Sequence, residues 1–224
     1  MVKTVKLFVE GGGDSKSLRT DCRAAFSSFL RKSGLTGYMP RVVASGSRNS
    51  AYSDYCTAIK NGELAVLLVD SETEVIIPTD DSNFDVDNPR TWKPWYHLLN
   101  RKGQTFDTAD PWAKPIDALD GDCHLMVQLM ETWFLADVAA LNAYYGSGFN
   151  DNALPDRSDI ENISKDAVLT SLHESTRYTT KGSYSKGNHA FGILAIIDPY
   201  KVIDKSPWTK RFVTLLSEKM HSVR

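Results

Sequence analysis

Leu64-Ala-Val-Leu-Leu-Val-Asp70 is the stretch of this sequence that indicates the fold class. Six consecutive apolar residues that end abruptly at an aspartate are typical of a central strand in a parallel sheet, which is buried on both faces. Residues 3–9 form a second, less continuous apolar run, which is interrupted by Lys6 and ends at Glu10. We therefore predict that both runs are strands of one sheet.

Between these two runs the sequence predicts two helices and a further strand. A helix is predicted from about Asp14 or Ser15 to a stop at Gly34, because apolar residues recur along it at helical spacing. A strand over about 38–44 and a helix over about 50–61, with its stop at Gly62, complete the order. The alternation of strand, helix, strand, helix and strand predicts an α/β fold with a mainly parallel central sheet.

The pattern breaks down after Asp70, and residues 73–121 are predicted to be an insertion with a short helix near 90–101. Regular patterns return after it. They predict a strand over 123–128, a helix over 131–145 and a helical C-terminal extension over 158–224, with helices at 158–175, 187–197 and 207–220. A chain of 224 residues has the length of one large domain.

Composition and charge narrow the class of protein. The three cysteines lack any C-x-x-C pairing, so we interpret them as small core residues rather than a disulfide framework or a zinc site. The charged N-terminal run is neither a signal peptide nor a membrane span, which leads us to expect a cytoplasmic protein without a membrane partner. Residues 177–224 carry nine Lys/Arg and three Asp/Glu, a local net charge of +6, which leaves −8 for residues 1–176. This asymmetry suits either a phosphate polymer with metal ions or an ordinary solvated basic surface.

Acidic residues follow two of the predicted strands. Glu10 and Asp70 each end a strand, and Glu72 comes two residues after Asp70. Ligands of parallel α/β sheets bind beyond the carboxyl ends of the strands, so these acids should converge there. If the chain stays extended, Asp70 and Glu72 point to the same side. Carboxylate oxygens suit Mg²⁺ or Mn²⁺, and we expect all three carboxylates to lie within about 8 Å of one another.

The turn after Glu10 contains glycines. Gly11 and Gly12 would let a phosphate or a metal ion approach the backbone, and the N-terminus of the following helix adds a partial positive charge. The segment 11–17, GGGDSKS, is not a Walker A loop, because Ser15 stands where a glycine is required before Lys-Ser. A phospho-receiver domain also carries acids at strand ends, but it would leave Glu72 without a role.

Glu10-Gly11 after one strand and Asp70-Ser71-Glu72 after another resemble the Toprim signature, with Glu72 in place of the second aspartate. The DUF4276 family of bacterial proteins is similar to nearly the whole chain, most clearly at Val9–Gly13, Leu68–Glu72, His124–Asp137 and Lys186–Arg211. This resemblance implies one Toprim-like three-layer domain over residues 1–224. It also implies a relationship to nucleases of the overcoming-lysogenization-defect type and, for some relatives, a separate ATPase partner in phage defence.

Further residues are candidates for the same site. Glu131 either favours the dipole of its predicted helix or provides a carboxylate for a second metal ion. His124 and Gln128 share one face of their strand and point either to the crevice or into the core. Four cations are candidate phosphate contacts or ordinary surface charges: Arg48, Lys186, Lys210 and Arg211. Four aromatic residues either stack on bases or form the core of the insertion: Trp92, Trp95, Tyr96 and Trp112.

Two functions remain open from the sequence. The first is a Mg²⁺- or Mn²⁺-dependent nuclease that hydrolyses DNA or RNA, with four catalytic and metal-binding residues: Glu10, Asp70, Glu72 and Glu131. The second is an inactive nucleic-acid-binding or regulatory subunit of an ATPase complex. The glutamate at position 72 and the long insertion keep the second alternative open.

Overall fold

The computed structural model describes residues 4–13, 15–37, 39–78, 80–101 and 112–223. Its centre is a parallel sheet in the order β2-β1-β3-β4, formed by β1 (Lys6–Val9), β2 (Arg41–Ala44), β3 (Ala65–Asp70) and β4 (Cys123–Met126). β3 lies between β1 and β4 and is buried along its whole length. The chain is therefore an α/β protein, and the central strand predicted from residues 64–70 is confirmed.

Helices make up most of the remaining regular structure, and the first of them begins where the sequence predicts it. They are α1 (Lys16–Lys32), α2 (Arg48–Lys60), α3 (Pro94–Asn100), α4 (Val138–Tyr145), α5 (Lys165–Thr176), α6 (Lys186–Ile196), α7 (Pro199–Lys205) and α8 (Pro207–Ser222). Ser15 caps α1 by accepting a hydrogen bond from the Leu18 N–H at 3.1 Å. α1 and α2 each end two residues before the predicted glycine stop. Asp14 and Tyr38, where predicted elements began, lie outside the described residues.

Successive side chains of each strand face opposite sides of the sheet, and each side carries a core cluster. Leu7 of β1 belongs to the cluster that contains Phe26 and Phe29 of α1. Phe8 belongs to the other cluster and packs against Tyr55 of α2, with ring centroids 6.5 Å apart. The sheet thus lies between two layers of helices, which is consistent with the Toprim-like three-layer fold.

Three predicted boundaries in the second half of the chain are corrected. The helix predicted over 131–145 is a buried 3-10 segment, Met130–Ala136, followed by α4, which begins after its cap Asp137. The helix predicted over 158–175 begins only at α5, because Ser164 caps it by accepting from the Ala167 N–H. The strand predicted over 123–128 ends at Met126. α7 was not predicted, although Pro199 occupies its first turn.

The described residues of the predicted insertion pack onto the sheet. Trp95 and Leu98 of α3, together with Trp112, join the core cluster that contains Tyr55 and Val69. Trp92, Trp95 and Trp112 are all buried, which confirms their interpretation as core residues, whereas Tyr96 is 40% exposed. Residues 79 and 102–111 of this segment lie outside the described part of the chain.

The structure also bears on the predictions for the cysteines and for a membrane span. All three thiols are free, and Cys22 and Cys123 are buried, whereas Cys56 is only partly buried. Among the described residues, none of the helices is both long enough and apolar enough to cross a membrane.

Candidate metal centre

Glu10, Asp70 and Glu72 converge at the carboxyl edge of the sheet. One carboxylate oxygen from each residue can be chosen so that all three lie within 4.8 Å of one another. The parallel pairing of β1 with β3 brings this about, because Glu10 directly follows β1 and Asp70 is the last residue of β3. The predicted convergence within about 8 Å is confirmed.

Backbone groups hold the carboxylates of Asp70 and Glu10 in place. Oδ1 of Asp70 accepts a hydrogen bond from the Met130 N–H at 2.8 Å. Oε2 of Glu10 accepts from the Asp70 N–H at 3.2 Å. Asp70 is only 2% exposed, so these contacts fix a buried carboxylate whose Oδ2 faces Lys186 instead.

Glu72 reaches the cluster by a route that differs from the prediction. The strand ends at Asp70, and Glu72 has a φ of 68°, in the left-handed region that side chains other than glycine rarely adopt. Its N–H donates to the Gln128 carbonyl at 2.7 Å, and its Oε2 accepts a hydrogen bond from Lys165 at the start of α5. The extended geometry assumed from the sequence was therefore wrong, although the convergence was right. Uncommon backbone conformations of this kind cluster at functional sites.

Crowding of the acids changes their pKa values. Burial, followed by the charges of Glu10, Glu131 and Glu72, raises the pKa of Asp70 well above its ordinary value, although Lys186 opposes the shift. Burial also raises the pKa of Glu10. For Glu72, burial alone would raise the pKa, but the hydrogen bond and charge of Lys165 lower it. Ionisation of Asp70 and Glu10 is therefore less favourable than for free carboxyl groups, and a bound cation would offset this cost.

Glu131 adds a fourth, fully buried carboxylate beside Asp70. Its Oε1 accepts a hydrogen bond from the Tyr184 hydroxyl at 2.7 Å, and its Oε2 accepts none within the described residues. Nζ of Lys186, at the start of α6, lies 3.6 Å from Glu131 Oε2 and 3.6 Å from Asp70 Oδ2. The lysine predicted to contact phosphate thus lies among the acids. Burial would lower its pKa, but the charges of Asp70 and Glu131 raise it, so its ammonium group stays protonated.

Comparison with known proteins places this chain in a family. Residues 9–217 match the family described as a domain of unknown function, DUF4276. The chain belongs to this family. The matched region includes the four acids and the lysine beside them: Glu10, Asp70, Glu72, Glu131 and Lys186. No curated protein and no solved structure matches the chain.

A divalent cation at this acidic cluster would bind with an affinity that depends on pH in a direction set by the raised pKa values. A cation binds the ionised carboxylates, so Mn²⁺ affinity should keep rising with pH above about 4, the ordinary carboxyl range. In the same window the metal-free folded chain holds protons that the unfolded chain has released, so Asp70 and Glu10 lower the free energy of unfolding as pH rises.

Chemical denaturation at several pH values, with and without Mn²⁺, measures both effects. Asp70→Asn isolates the contribution of Asp70, because acids with lowered pKa values, such as Glu72 and Asp137, contribute with the opposite sign. The native chain should lose stability relative to this variant as pH rises, and Mn²⁺ should reverse the loss. A native chain that gains stability relative to Asp70→Asn in metal-free buffer would contradict the assignment.

His97 of α3 forms two hydrogen bonds with the loop that carries Glu72. Its Nδ1 accepts from the Ile76 N–H at 3.1 Å, which leaves Nε2–H to donate to the Ser71 carbonyl at 2.9 Å. Burial, followed by the charges of Arg48 and Arg101, lowers the pKa of His97 to about 4, so the ring is neutral at neutral pH and keeps one donor and one acceptor. The insertion is thereby linked to the acidic cluster.

We expect His97→Ala to raise the Mn²⁺ dissociation constant by about 10-fold, because residues that orient metal ligands typically contribute this much. Calorimetric titration measures the affinity, and near-ultraviolet circular dichroism checks the fold. The matched control is His173→Ala, which removes an exposed imidazole from α5. Unchanged affinity in a folded His97→Ala variant would show that the loop holds Glu72 without this histidine.

The glycines after Glu10 make close contacts within the chain. The Gly11 N–H donates to the Gly46 carbonyl at 2.9 Å, and the Gly46 N–H donates back. Gly12 is buried, and a Cβ built on it would lie 2.8 Å from Cα of Arg19 in α1. The Gly11 amide is already bonded, so the prediction that it contacts phosphate is corrected, whereas a phosphate contact at Gly12 stays a prediction.

Two of the four candidate phosphate contacts bond within the chain, and for Arg211 the prediction is corrected. Arg48 is buried, with its Nε donating to the Asp70 carbonyl at 3.1 Å and its guanidinium 4.1 Å from the ring centre of Trp112. Arg211 is only 1% exposed and donates to three backbone carbonyls. Both cations therefore stabilise the fold around the sheet. Lys210 is exposed and lines an open groove with Asp87 and Asp204.

Several cations of the basic C-terminal region make contacts within the chain. Lys201 pairs with Asp137, and Lys219 pairs with Asp122, each at 2.6 Å. Lys205 donates to the Arg157 carbonyl at 3.1 Å. The charge asymmetry of the sequence thus reflects internal pairing at these positions.

The side chains of Gln128 and His124 have different surroundings, although the sequence predicts that they share one face of a strand. Gln128 follows the end of β4, and its Oε1 accepts from the Lys165 N–H at 3.2 Å. His124 is 1% exposed, lies 2.9 Å from a guanidinium nitrogen of Arg211 and packs on Phe212 of α8. The core interpretation of His124 is confirmed, whereas Gln128 supports the loop that carries Glu72.

Proposed function

We propose that this DUF4276 chain is a divalent-metal-dependent phosphodiesterase that cleaves DNA or RNA. One observation carries the proposal: Glu10, Asp70 and Glu72 offer carboxylate oxygens within 4.8 Å of one another at the carboxyl edge of a parallel sheet. Ligands of such sheets bind at this edge. Aspartate and glutamate oxygens alone are the donor set of a hard cation such as Mg²⁺ or Mn²⁺.

The dimensions of the cluster suit a single ion. Metal–oxygen bonds of about 2.0–2.6 Å place two ligands of one ion at most about 5 Å apart, which accommodates the separation of 4.8 Å. Burial of Asp70 and the raised pKa values of Asp70 and Glu10 mean that a bound cation would relieve an unfavourable concentration of like charge. The residues present therefore fit the metal that the Toprim resemblance implies.

Each residue has a role in the proposed reaction. Glu10, Asp70 and Glu72 would hold the ion, which when bound supplies Lewis-acid activation of the phosphate and of the attacking water. Lys186 keeps a positive charge beside the cluster, where it would stabilise negative charge that develops on the phosphate. Burial raises the pKa of Glu10 above its ordinary value, so in the metal-free cluster this carboxyl group could alternatively act as a general acid or base.

The proposal also covers the location and the cellular role of the protein. By resemblance to Toprim-like nucleases we propose a cytoplasmic protein that acts in phage defence or DNA maintenance with a separate ATPase. One observation favours the alternative of a catalytically inactive nucleic-acid-binding or regulatory subunit: Lys165 already neutralises Glu72. An ion at the cluster would have to share Glu72 with this lysine.

A cleavage assay separates the two functions. Purified chain is incubated with supercoiled plasmid, single-stranded DNA or structured RNA, with Mn²⁺ or with a chelator in its place. Metal-dependent nicking or degradation of at least one substrate is expected. Binding to nucleic acid without cleavage in Mn²⁺ and Mg²⁺ would favour the regulatory subunit and contradict the phosphodiesterase.

A further inference from the structure

Lys186 occupies a defined position between two acids. Its Nζ is equidistant from Asp70 Oδ2 and Glu131 Oε2, at 3.6 Å from each. In the described part of the chain these two carboxylates are its ion-pair partners. Both distances exceed those of a typical ammonium–carboxylate hydrogen bond, about 2.7–2.9 Å, so the charge is centred between the acids rather than bonded to one of them.

Glu131 independently indicates a cation at this position. The side chain is fully buried, and Tyr184 satisfies Oε1, whereas Oε2 accepts no hydrogen bond from any residue that the structure describes. A buried carboxylate oxygen without a donor is costly unless a positive charge lies in front of it. The charge in front of Oε2 is the ammonium group of Lys186.

This position also has the layout of a second metal site. In two-metal phosphodiesterases the ions lie about 3.5–4 Å apart and stabilise the attacking and leaving oxygens together. Asp70 belongs to the cluster with Glu10 and Glu72 and also faces Lys186, so it is placed to be shared between two cations. Glu131 then provides the remaining carboxylate of the second position.

We propose that Lys186 supplies the second positive charge of the centre, so that the native chain takes one divalent cation and its ammonium group takes the place of another. The inference rests on the proposed metal centre at Glu10, Asp70 and Glu72. One divalent cation and one ammonium group match the three carboxylates of Glu10, Asp70 and Glu131 in formal charge, and the guanidinium of Arg48 lies nearby as a further cation. Glu72 has its own partner in Lys165. Removing the ammonium group should therefore open a divalent site between Asp70 and Glu131.

Counting bound Mn²⁺ tests the inference without reference to catalysis. Calorimetric titration and electron paramagnetic resonance are applied to the native chain and to Lys186→Met, which removes the charge and retains a long side chain. We expect one Mn²⁺ per native chain and two per Lys186→Met chain, with magnetic coupling between the ions only in the variant. Adding Glu131→Gln to Lys186→Met should return the count to one. Lys181→Met is the matched control, because Lys181 is an exposed lysine of the segment that leads to α6, and it should bind one ion.

The outcomes separate the inference from the proposed function. Two ions in the native chain, or one in a folded Lys186→Met chain, would overturn the role of Lys186 and leave the metal centre intact. No ion in the native chain would overturn the metal centre and the inference together. If Lys186→Met does not fold, Lys186→Gln provides the second variant, and the native count alone still decides against the inference when it is two.

Discussion

Asp70→Asn is expected to lower Mn²⁺-dependent cleavage by about 10²–10³-fold and to stabilise the metal-free fold. Loss of a preorganised electrostatic contact at a reacting centre typically has an effect of this size on the rate. Asparagine preserves the shape of the side chain, and its Oδ1 can still accept the hydrogen bond from the Met130 N–H. The change therefore removes one charge and leaves the end of β3 in place.

Stability should change in the opposite direction from activity. The buried Asp70 carboxylate is surrounded by Glu10, Glu131 and Glu72, which together with burial raise its pKa. Removing its charge relieves this repulsion in the metal-free chain, so the melting temperature should rise. Binding to nucleic acid should persist or tighten, because one negative charge no longer repels the phosphates. Such opposition between stability and activity is common at functional sites.

Asp137→Asn is the matched control for Asp70→Asn. Asp137 is also a buried aspartate, but it pairs with Lys201 and caps α4, and these contacts lower its pKa although burial opposes them. This variant should lose stability and keep its cleavage rate. Full cleavage by Asp70→Asn, or equal losses of cleavage in both variants, would refute the proposed role of Asp70.

Arg211→Ala is expected to destabilise the fold by about 3–5 kcal/mol, because a buried guanidinium with several partners is lost and its acceptors are left unsatisfied. Nε donates to the Pro89 carbonyl at 2.9 Å, Nη1 to that of Cys123 at 2.9 Å and Nη2 to that of Asp120 at 2.6 Å. These bonds join α8 to the start of β4 and to the insertion. Urea denaturation measures the loss.

Lys210→Ala provides the comparison on the same helix, because Lys210 is exposed and its loss should change stability by no more than about 0.5 kcal/mol. At a salt concentration where Arg211→Ala is still folded, its nucleic-acid binding should show the same salt dependence as the native chain. A stable Arg211→Ala variant with a reduced salt slope would restore this residue as a phosphate contact.

The sequence predicts the sheet and the acids at its edge because both depend on local signals. An uninterrupted apolar run that ends in Asp70 indicates a buried strand, and parallel pairing brings the end of that strand beside Glu10. The path of the chain after Asp70, by contrast, does not follow from local signals. Glu72 adopts a left-handed conformation that its own residue type does not favour, and the loop is held by His97, which lies in a distant segment.

The remaining partners of the acids could not be read from the sequence, because they depend on where two later helices pack. Lys165 and Lys186 begin α5 and α6, and Tyr184 lies just before α6. Each meets the acids only once its helix has docked against the sheet. A capping serine before Lys165 marks the start of α5, but local patterns carry no sign of which acid a lysine will meet.

Burial of cations is the other feature that sequence patterns missed. Lys210 and Arg211 are adjacent and look alike as surface charges, yet helical geometry turns one outward and the other into the core. The amphipathic pattern of α8 includes position 211 on the buried face beside Phe212. The guanidinium group is tolerated there because backbone carbonyls surround it.

We propose that Glu10, Asp70 and Glu72 together hold a divalent cation. Crystals of the native chain grown with Mn²⁺, with diffraction recorded at the manganese absorption edge, test it most directly. We expect an anomalous peak about 2.0–2.6 Å from a carboxylate oxygen of each of these residues, with Lys186 retained between Asp70 and Glu131. A peak elsewhere on the chain, or none at saturating Mn²⁺, would contradict the claim.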